Sequence, residues 1–201
     1  MSDQPASRPP GRPRSEATRT AILSTASQLL ETEPYPRISI ERIAAEAKVG
    51  KQSIYRWWDS KADVLLEAYT EKTLRRIPIG DRTGNAFRDL EALLKSFFVA
   101  TREPAVSKTI RSLIAEAQHD AEFREKFKGV FVATRRAMIR DVLKSGLDNG
   151  QVRRDLDIDL TIDIIYGAFW YRLLSGNVEG LDDAFAKGIV TTLQPGLAAS
   201  S

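Results

Sequence analysis

The chain has 201 residues, of which 42% are hydrophobic and 28% charged, as in an ordinary globular protein with a buried core. It has no cysteine and one histidine, His119, which excludes disulfides, thiolate zinc sites and histidine metal clusters. It lacks an apolar run of about 18 residues and a secretory signal, so we expect a cytoplasmic protein without a membrane segment. The net charge of +3 lies in residues 1–76, with 13 basic and 10 acidic side chains, which mildly favours a nucleic-acid partner.

Residues 1–14 are rich in proline, serine and arginine and are predicted to form a disordered basic arm. Arg12 and Arg14 lie at the end of this arm. Two interpretations stay open: arginines that enter a DNA minor groove, or a solvated tail that only raises the local positive potential. The first helix is predicted over residues 15–31, and its inward face carries Ile22, Ala26, Leu29 and Leu30.

Residues 38–61 predict two short helices joined by a tight turn. Ser39 is placed to cap the first helix, whose apolar face has helical spacing: Ile40, Ile43, Ala44 and Ala47. Residues 48–50 are expected to supply the turn, with Gly50 where the chain bends. The second helix, from about Lys51, directs Ile54 inward. The opposite face carries side chains that can donate hydrogen bonds: Lys51, Gln52, Ser53, Tyr55 and Arg56. This pattern is typical of a helix-turn-helix, whose second helix enters the DNA major groove.

The sequence from Val49 to Lys61 resembles the recognition helix and following cap of the tetracycline-repressor (TetR) family. In that family a turn residue is followed by a polar pair, a small residue, an aliphatic residue, Tyr, two variable positions, an aromatic or aliphatic residue, and a short loop ending in Lys. Every position is filled here in order. The upstream helix, with its break at residues 34–36, also fits. The resemblance covers roughly the first 75 residues, and the remainder is similar only in length and helical character.

The start of the second helix is where helix-turn-helix proteins contact base edges, so Lys51, Gln52 and Ser53 are the predicted base readers. Lysine suits guanine, and glutamine can pair with adenine through two hydrogen bonds. The family resemblance implies that Tyr55 and Lys61 hold phosphates.

Four further side chains near this helix have different expected roles. Trp57 occupies a position where relatives place His, Trp or Tyr, and we expect it to press on the sugar-phosphate backbone. Trp58 is predicted to be core. Arg56 is open between a phosphate contact and solvent, and Arg42 is a predicted phosphate contact despite its acidic neighbour, Glu41.

The predicted fold is all-α, with about nine helices. A three-helix DNA-binding domain over 15–60 leads into a connecting helix over 61–77, which Ser60 and Asp63 are expected to cap reciprocally. A linker follows, and then a ligand-binding and dimerisation domain over 84–195. In that domain helices are predicted over about 85–102, from Pro104, and over 121–148, 160–175 and 181–193.

The predicted helix over 160–175 is apolar nearly all round and therefore needs cover on more than one side. We expect it to pair with the 181–193 helix and with their copies in a four-helix seam between two subunits. The alternative is the central core helix of a monomer. The TetR resemblance also implies a homodimer, and the predicted seam residues are Phe169, Leu173, Leu181, Phe185 and Ile189.

The resemblance further implies that a small molecule binds among the C-terminal helices and changes the separation of the two recognition helices. Polar and aromatic residues on otherwise apolar faces are the pocket candidates: Phe98, Gln118, Phe131, Thr134, Tyr166 and Trp170. Plain core packing is the alternative for each, and the last two also suit the dimer seam. Their aromatic character favours an apolar or aromatic effector, and no cofactor is expected.

The sequence thus predicts a regulator that binds double-stranded DNA at a palindromic operator, most simply a repressor released by a ligand. The alternative is a ligand-independent or architectural DNA-binding protein. A small helical enzyme is disfavoured because the chain has no nucleophile elbow, Walker loop or paired His-Glu motif. No residue decides between repression and activation.

Overall fold

The computed structural model describes residues 12–75 and 82–199, and within these ranges the chain is all-α, as predicted. The N-terminal helices are α1 (Arg12–Thr32), α2 (Ile40–Glu46), α3 (Lys51–Tyr55) and α4 (Lys61–Arg75). The C-terminal helices are α5 (Ala86–Arg102), α6 (Pro104–His119), α7 (Ala121–Phe127), α8 (Ala133–Asp148), α9 (Ile158–Leu174) and α10 (Asp183–Leu197). A π-helical turn, Lys128–Val132, joins α7 to α8 with helical backbone angles at both junctions. The chain is therefore helical throughout the predicted 121–148 helix, but five residues in its middle are π-helical rather than α-helical.

Side-chain caps explain where most helices begin. The Asn85 side chain accepts hydrogen bonds from two amides of the first turn of α5, and α7, α9 and α10 each begin after an aspartate that accepts from the amide three residues on. At α4 the pairing is reciprocal. Ser60 Oγ accepts from the Asp63 amide at 3.2 Å, and Asp63 Oδ2 accepts from the Ser60 amide at 3.0 Å. This confirms the predicted cap.

Two helix ends differ from the prediction by three residues or more. Helix α1 begins at Arg12, so the backbone of residues 12–14 is helical rather than part of an arm. Residues 1–11 of the predicted arm, and residues 76–81 at the end of the predicted connecting helix and in the linker, lie outside the described ranges. Helix α10 runs past Pro195 to Leu197 instead of stopping before it. Proline is tolerated there because the carbonyl that loses its donor belongs to exposed Thr191, and Gln194 O still accepts from the Ala198 amide at 2.9 Å.

The helices share one continuous hydrophobic core. Helix α1 packs against α4 and α6, and α5 packs against α8 and α10. Helix α4 has neighbours in both halves of the molecule, because it contacts α1 on one side and α6, α7 and the π-helical turn on the other. A rearrangement of the C-terminal helices therefore has a direct packing route to the helices that carry the α2–α3 motif.

Candidate nucleic-acid interface

The turn between α2 and α3 is built on Lys48 rather than on Gly50. Lys48 has a left-handed backbone (φ +55°), its amide bonds to Ala45 O at 3.2 Å, and the Val49 amide bonds to Ala44 O at 2.9 Å. These two bonds form a Schellman ending for α2. Gly50 is extended (φ −74°, ψ 148°) and is the N-cap of α3 without a side-chain bond. The prediction that Gly50 makes the bend is wrong, because the preceding helix ending already reverses the chain.

The open face of α3 carries the predicted contact residues together. Ile54 is fully buried and fixes the helix against the bundle, while Lys51, Gln52 and Arg56 are exposed and Ser53 is half-buried. Large aromatic surface is also uncovered, since Tyr55 is 53% exposed and Trp57 is 39% exposed. The face thus combines cationic, amide, hydroxyl and aromatic groups. Lys51 Nζ lies 3.2 Å from Glu41 Oε1, an exposed and therefore weak ion pair that an incoming phosphate can replace.

Trp58 lies in the core, as predicted, and ties α3 to α4. Its indole Nε1 donates to Glu67 Oε2 at 2.6 Å. The Arg19 guanidinium of α1 forms an ion pair with the same carboxylate and lies 5.7 and 5.8 Å from the rings of Trp57 and Trp58. Arg19 thus links the exposed Trp57 to the buried Trp58 and to Glu67 of α4. Sequence spacing gave no signal for this cluster, because its members come from three separate segments.

Two predicted phosphate contacts are engaged within the protein. Lys61 Nζ lies 3.3 Å from Tyr35 O and 4.2 Å from the Tyr35 ring centroid, and burial lowers the pKa of Lys61. Arg42 pairs with Glu33 at 3.1 Å and with Glu46 at 2.8 Å. Their phosphate roles stay predictions, as does the minor-groove role of Arg12 and Arg14, whose side chains lie outside the described residues.

The six pocket candidates do not converge on one cavity. A cavity of about 20 Å³ lies between α4, α5, α6, α8 and α9, and of the six only Phe131 lines it. Phe98 is buried in a stack with Phe169 and Phe185, with ring centroids 5.8 and 5.4 Å apart. Gln118 is exposed, and Thr134 donates to the Val130 carbonyl at 2.8 Å. Tyr166 meets the Phe169 ring edge-on and Trp170 lies tilted against it, and neither lines the cavity.

Other residues line this cavity, and the prediction missed them: Tyr69, Thr73, Phe97, Ala100, Thr101, Val106, Ile110, Arg135 and Phe169. Most of them are ordinary core residues that no sequence pattern distinguishes. Arg135 is different, because an arginine in a helical segment is normally assigned to the surface. Its burial follows from packing between α4 and α9, which the sequence does not reveal.

The predicted seam residues lie inside the subunit, so their assignment needs correction. Leu173 and Leu181 are fully buried, and Phe169 and Ile189 are nearly so. Phe185 is half-buried, stacked on Phe98 and covered by the Arg172 guanidinium at 3.4 Å. The uncovered side of α9 is the opposite one. It carries an exposed row at alternating spacings of four and three, here named the α9 stripe: Leu160, Ile164, Gly167, Tyr171 and Leu174.

Comparison with known proteins gives the family. Residues 22–68 match the family model described as bacterial regulatory proteins, tetR family, and residues 81–193 match the tetracyclin repressor-like C-terminal domain. The HTH-type transcriptional regulator YdeS of Bacillus subtilis is 35% identical over 193 residues, which cover 95% of each chain. The crystal structure of the TetR family transcription regulator SCO0332 is 32% identical, with a TM-score of 0.78 over 89% of this chain and 97% of that one.

The chain belongs to the TetR family.

As a TetR-family member the protein is a DNA-binding transcriptional regulator and not an enzyme, since the matched relatives are transcriptional regulators. The family resemblance stated for the first 75 residues is confirmed, and the C-terminal match extends it over the helices that sequence patterns placed only weakly. In the described ranges no three metal-ligating side chains cluster, and no helix has both the length and the hydropathy to cross a bilayer.

Proposed function

We propose that the protein is a repressor that binds a palindromic operator as a homodimer and leaves it when a small molecule binds among the C-terminal helices. One observation carries this proposal. The same chain exposes a cationic and aromatic face on α3 and an uncharged apolar stripe on α9. The first suits DNA, and the second suits another copy of the chain.

On α3, the side chains of the first turn are the proposed base readers. Lys51, Gln52 and Ser53 extend from the end of the helix that enters the groove first in helix-turn-helix proteins. The sugar-phosphate backbone would be contacted by Arg42, Tyr55, Arg56, Trp57 and Lys61, and the adjacent minor groove would be entered by Arg12 and Arg14. Arg42 would exchange its exposed ion pairs for a phosphate at small cost, and Lys61 would exchange its hydrogen bond to Tyr35 O for one.

The homodimer would form through the α9 stripe, with α10 beside it. Helix α10 also exposes small residues, among them Ala184, Gly188 and Thr191. Nothing lies within 4 Å of a Cβ added at Gly167 or Gly188, so a partner helix can approach the backbone closely at both points. Two copies of α9 and α10 would then form a four-helix seam related by a two-fold axis, matching a palindromic DNA site.

Release by a ligand is supported by the position of α4 and by relatives. Helix α4 packs against both the N-terminal helices and the cavity-lining C-terminal helices. A relative from Mycobacteroides abscessus, 26% identical over 178 residues, is named a DNA-binding transcriptional repressor. FadR of Bacillus subtilis, similar in fold alone at 19% identity and a TM-score of 0.66, was crystallised with stearoyl-CoA. A regulator of this kind would act in the cytoplasm.

Selection of bound sequences from a random duplex pool at near-physiological salt tests the proposal. Enrichment of a palindrome with half-sites about one helical turn apart, 10–10.5 bp, is the expected result. Failure to enrich any motif, together with binding that disappears as salt rises, would instead indicate contact with the backbone alone and an architectural protein.

A further inference from the structure

Arg135 of α8 is a buried cation with no counter-ion among the residues that the structure describes. It is 7% exposed. Its guanidinium donates to Thr73 Oγ1 at 2.6 Å and to Phe131 O at 3.4 Å, and its Cζ lies 3.6 Å from the centroid of the Phe131 ring. No carboxylate of residues 12–75 or 82–199 pairs with it, and burial lowers the pKa of Arg135. A buried charge normally has an ion-pair partner, because desolvation without one is costly.

The described side chains around Arg135 supply further hydrogen-bond donors but no negatively charged acceptor. Arg135 is the one charged residue among the described side chains that line the cavity. Tyr166 is near enough to interact electrostatically with the guanidinium, and its buried hydroxyl has no hydrogen-bond partner in the described part of the chain. Burial also raises the pKa of Tyr69 and of Tyr166, so both phenols stay protonated and able to donate. The guanidinium has five N–H donors, and its two hydrogen bonds within the protein leave others for a ligand.

The wall beside Arg135 is aromatic and has an unusual backbone. The π-helical turn ends three residues before Arg135, and turns of this kind occur frequently at functional sites. It presents Phe131, whose ring centroid lies 5.6 Å from that of Tyr69, 5.1 Å from that of Phe127 and 6.5 Å from that of Trp170. The cavity therefore has a cationic end and an aromatic side.

We infer that this cavity is the anion-binding end of the effector pocket, and that the effector is an amphipathic monocarboxylate whose carboxylate pairs with Arg135. The inference rests on the proposed release by a ligand and deepens it. A single cation fits one negative charge, and the aromatic wall fits an apolar body. Because Arg and carboxylate form two parallel hydrogen bonds, the pairing would also orient the ligand.

The same contact gives a route to the DNA-binding helices. The cavity of about 20 Å³ holds little more than one water molecule, so the ligand body must separate the surrounding helices. The bond from Arg135 to Thr73 Oγ1 joins α8 to α4. A carboxylate that takes over this guanidinium would free Thr73, and thereby loosen α4 from α8 in the liganded state.

Matched probes test the charge requirement on the full chain. Octanoate is compared with octanamide, and 3-phenylpropanoate with 3-phenylpropanamide, by calorimetric titration of wild type, Arg135→Met and the control Arg140→Met. Arg140 is on the same helix but pairs at the surface with Asp159, which Arg136 also holds. We expect at least one carboxylate to bind wild type and Arg140→Met ten times more tightly than its amide, and Arg135→Met to lose this preference. Equal affinities, no binding by any probe, or a preference retained in Arg135→Met would overturn the inference.

Thermal unfolding without ligand gives a second reading that needs no probe. If Arg135 awaits an anion, Arg135→Met removes an uncompensated charge, and its Tm equals or exceeds that of wild type. A Tm lowered by several degrees would show that Arg135 stabilises the fold through its hydrogen bonds within the protein, and would overturn the inference. Carboxylates that bind through Arg135 without dissociating the operator complex would refute the proposed release alone. A neutral molecule that releases wild type and Arg135→Met equally would support release and refute the carboxylate.

Discussion

Helices α3 and α9 both leave large side chains uncovered, but the composition of the two surfaces differs. Helix α3 has five residues, and its exposed Tyr55 stands among Lys51, Gln52 and Arg56. Helix α9 has 17 residues, and its stripe contains no charged side chain. Phosphates require donors and positive charge, whereas an apolar surface requires another apolar surface. Exposed aromatic or aliphatic area alone therefore does not identify a partner. The charged and polar side chains that lie among it, or their absence, identify the partner.

The largest predicted effect is the loss of the dimer in Ile164→Asp. Ile164 is 50% exposed in the subunit and lies near the middle of the α9 stripe, so the variant should fold. Burying a carboxylate at each copy of this position should weaken self-association at least about 100-fold, or about 2.7 kcal/mol. Sedimentation analysis over a concentration series measures this. Val99→Asp, at a similarly exposed aliphatic position on α5, is the control. Identical dimerisation of Ile164→Asp and wild type would show that α9 is not part of the dimer interface.

Gln52→Ala tests whether α3 reads bases. Glutamine that pairs with adenine through two hydrogen bonds contributes about 1–3 kcal/mol to discrimination, so the variant should lose about 10- to 100-fold preference at one base pair of each half-site. Competition binding against operators mutated at single positions gives this number. Gln28→Ala, exposed on α1, should change nothing. An equal loss on every sequence would assign Gln52 to the backbone.

Removal of one hydroxyl from each of the two surfaces compares them directly. Tyr55→Phe should weaken binding to all DNA sequences alike by roughly threefold to tenfold, the net value of one typical hydrogen bond, and leave self-association unchanged. Tyr171→Phe, on the α9 stripe with 75% exposure, should leave DNA affinity unchanged. Fluorescence anisotropy with operator and non-operator duplexes measures both variants. A loss confined to the operator in Tyr55→Phe would mean that Tyr55 reads bases.

Gly50→Ser gives the smallest expected effect and concerns how α3 begins. Gly50 has N-cap geometry without a side-chain bond, and an added Cβ meets nothing within 4 Å. A serine hydroxyl there can accept from an amide of the first turn, so the free energy of unfolding should rise by a few tenths of a kcal/mol. Urea denaturation detects the direction of the change. Lower stability would show that position 50 does not tolerate a side chain.

Features set by local sequence were predictable, and features set by packing were not. The α2–α3 motif, the Ser60–Asp63 cap and the positions of α5 and α6 follow from apolar spacing and capping residues within a few positions. The turn was predicted over residues 48–50, but the residue that makes the bend was not, because glycine is the usual residue there. Lys48 takes the left-handed conformation to complete the ending of α2.

The seam and the cavity needed the three-dimensional structure. Helix α9 is apolar on every side, so periodicity cannot tell its inner face, with Leu173, from its outer face, with Ile164. Arg135 and Arg136 are adjacent in sequence, yet one is buried against Phe131 and the other forms surface ion pairs with Asp159 and Asp163. Only the arrangement of α4 and α9 around α8 separates them.

A distance measured between the two DNA-binding domains of a dimer tests the account most directly. This distance is determined jointly by the α9 stripe, which would hold the subunits together, and by the α3 face, which would bind the DNA. The chain has no cysteine, so Ala45→Cys, exposed on α2 beside the turn into α3, takes a single spin label per subunit. On the selected operator, pulsed dipolar spectroscopy should give one narrow distance, in keeping with recognition helices about 34–36 Å apart, and the same label in Ile164→Asp should give none. A broad distribution on the operator, or a narrow one that survives Ile164→Asp, would contradict a dimer built on α9 that places α3 in successive major grooves.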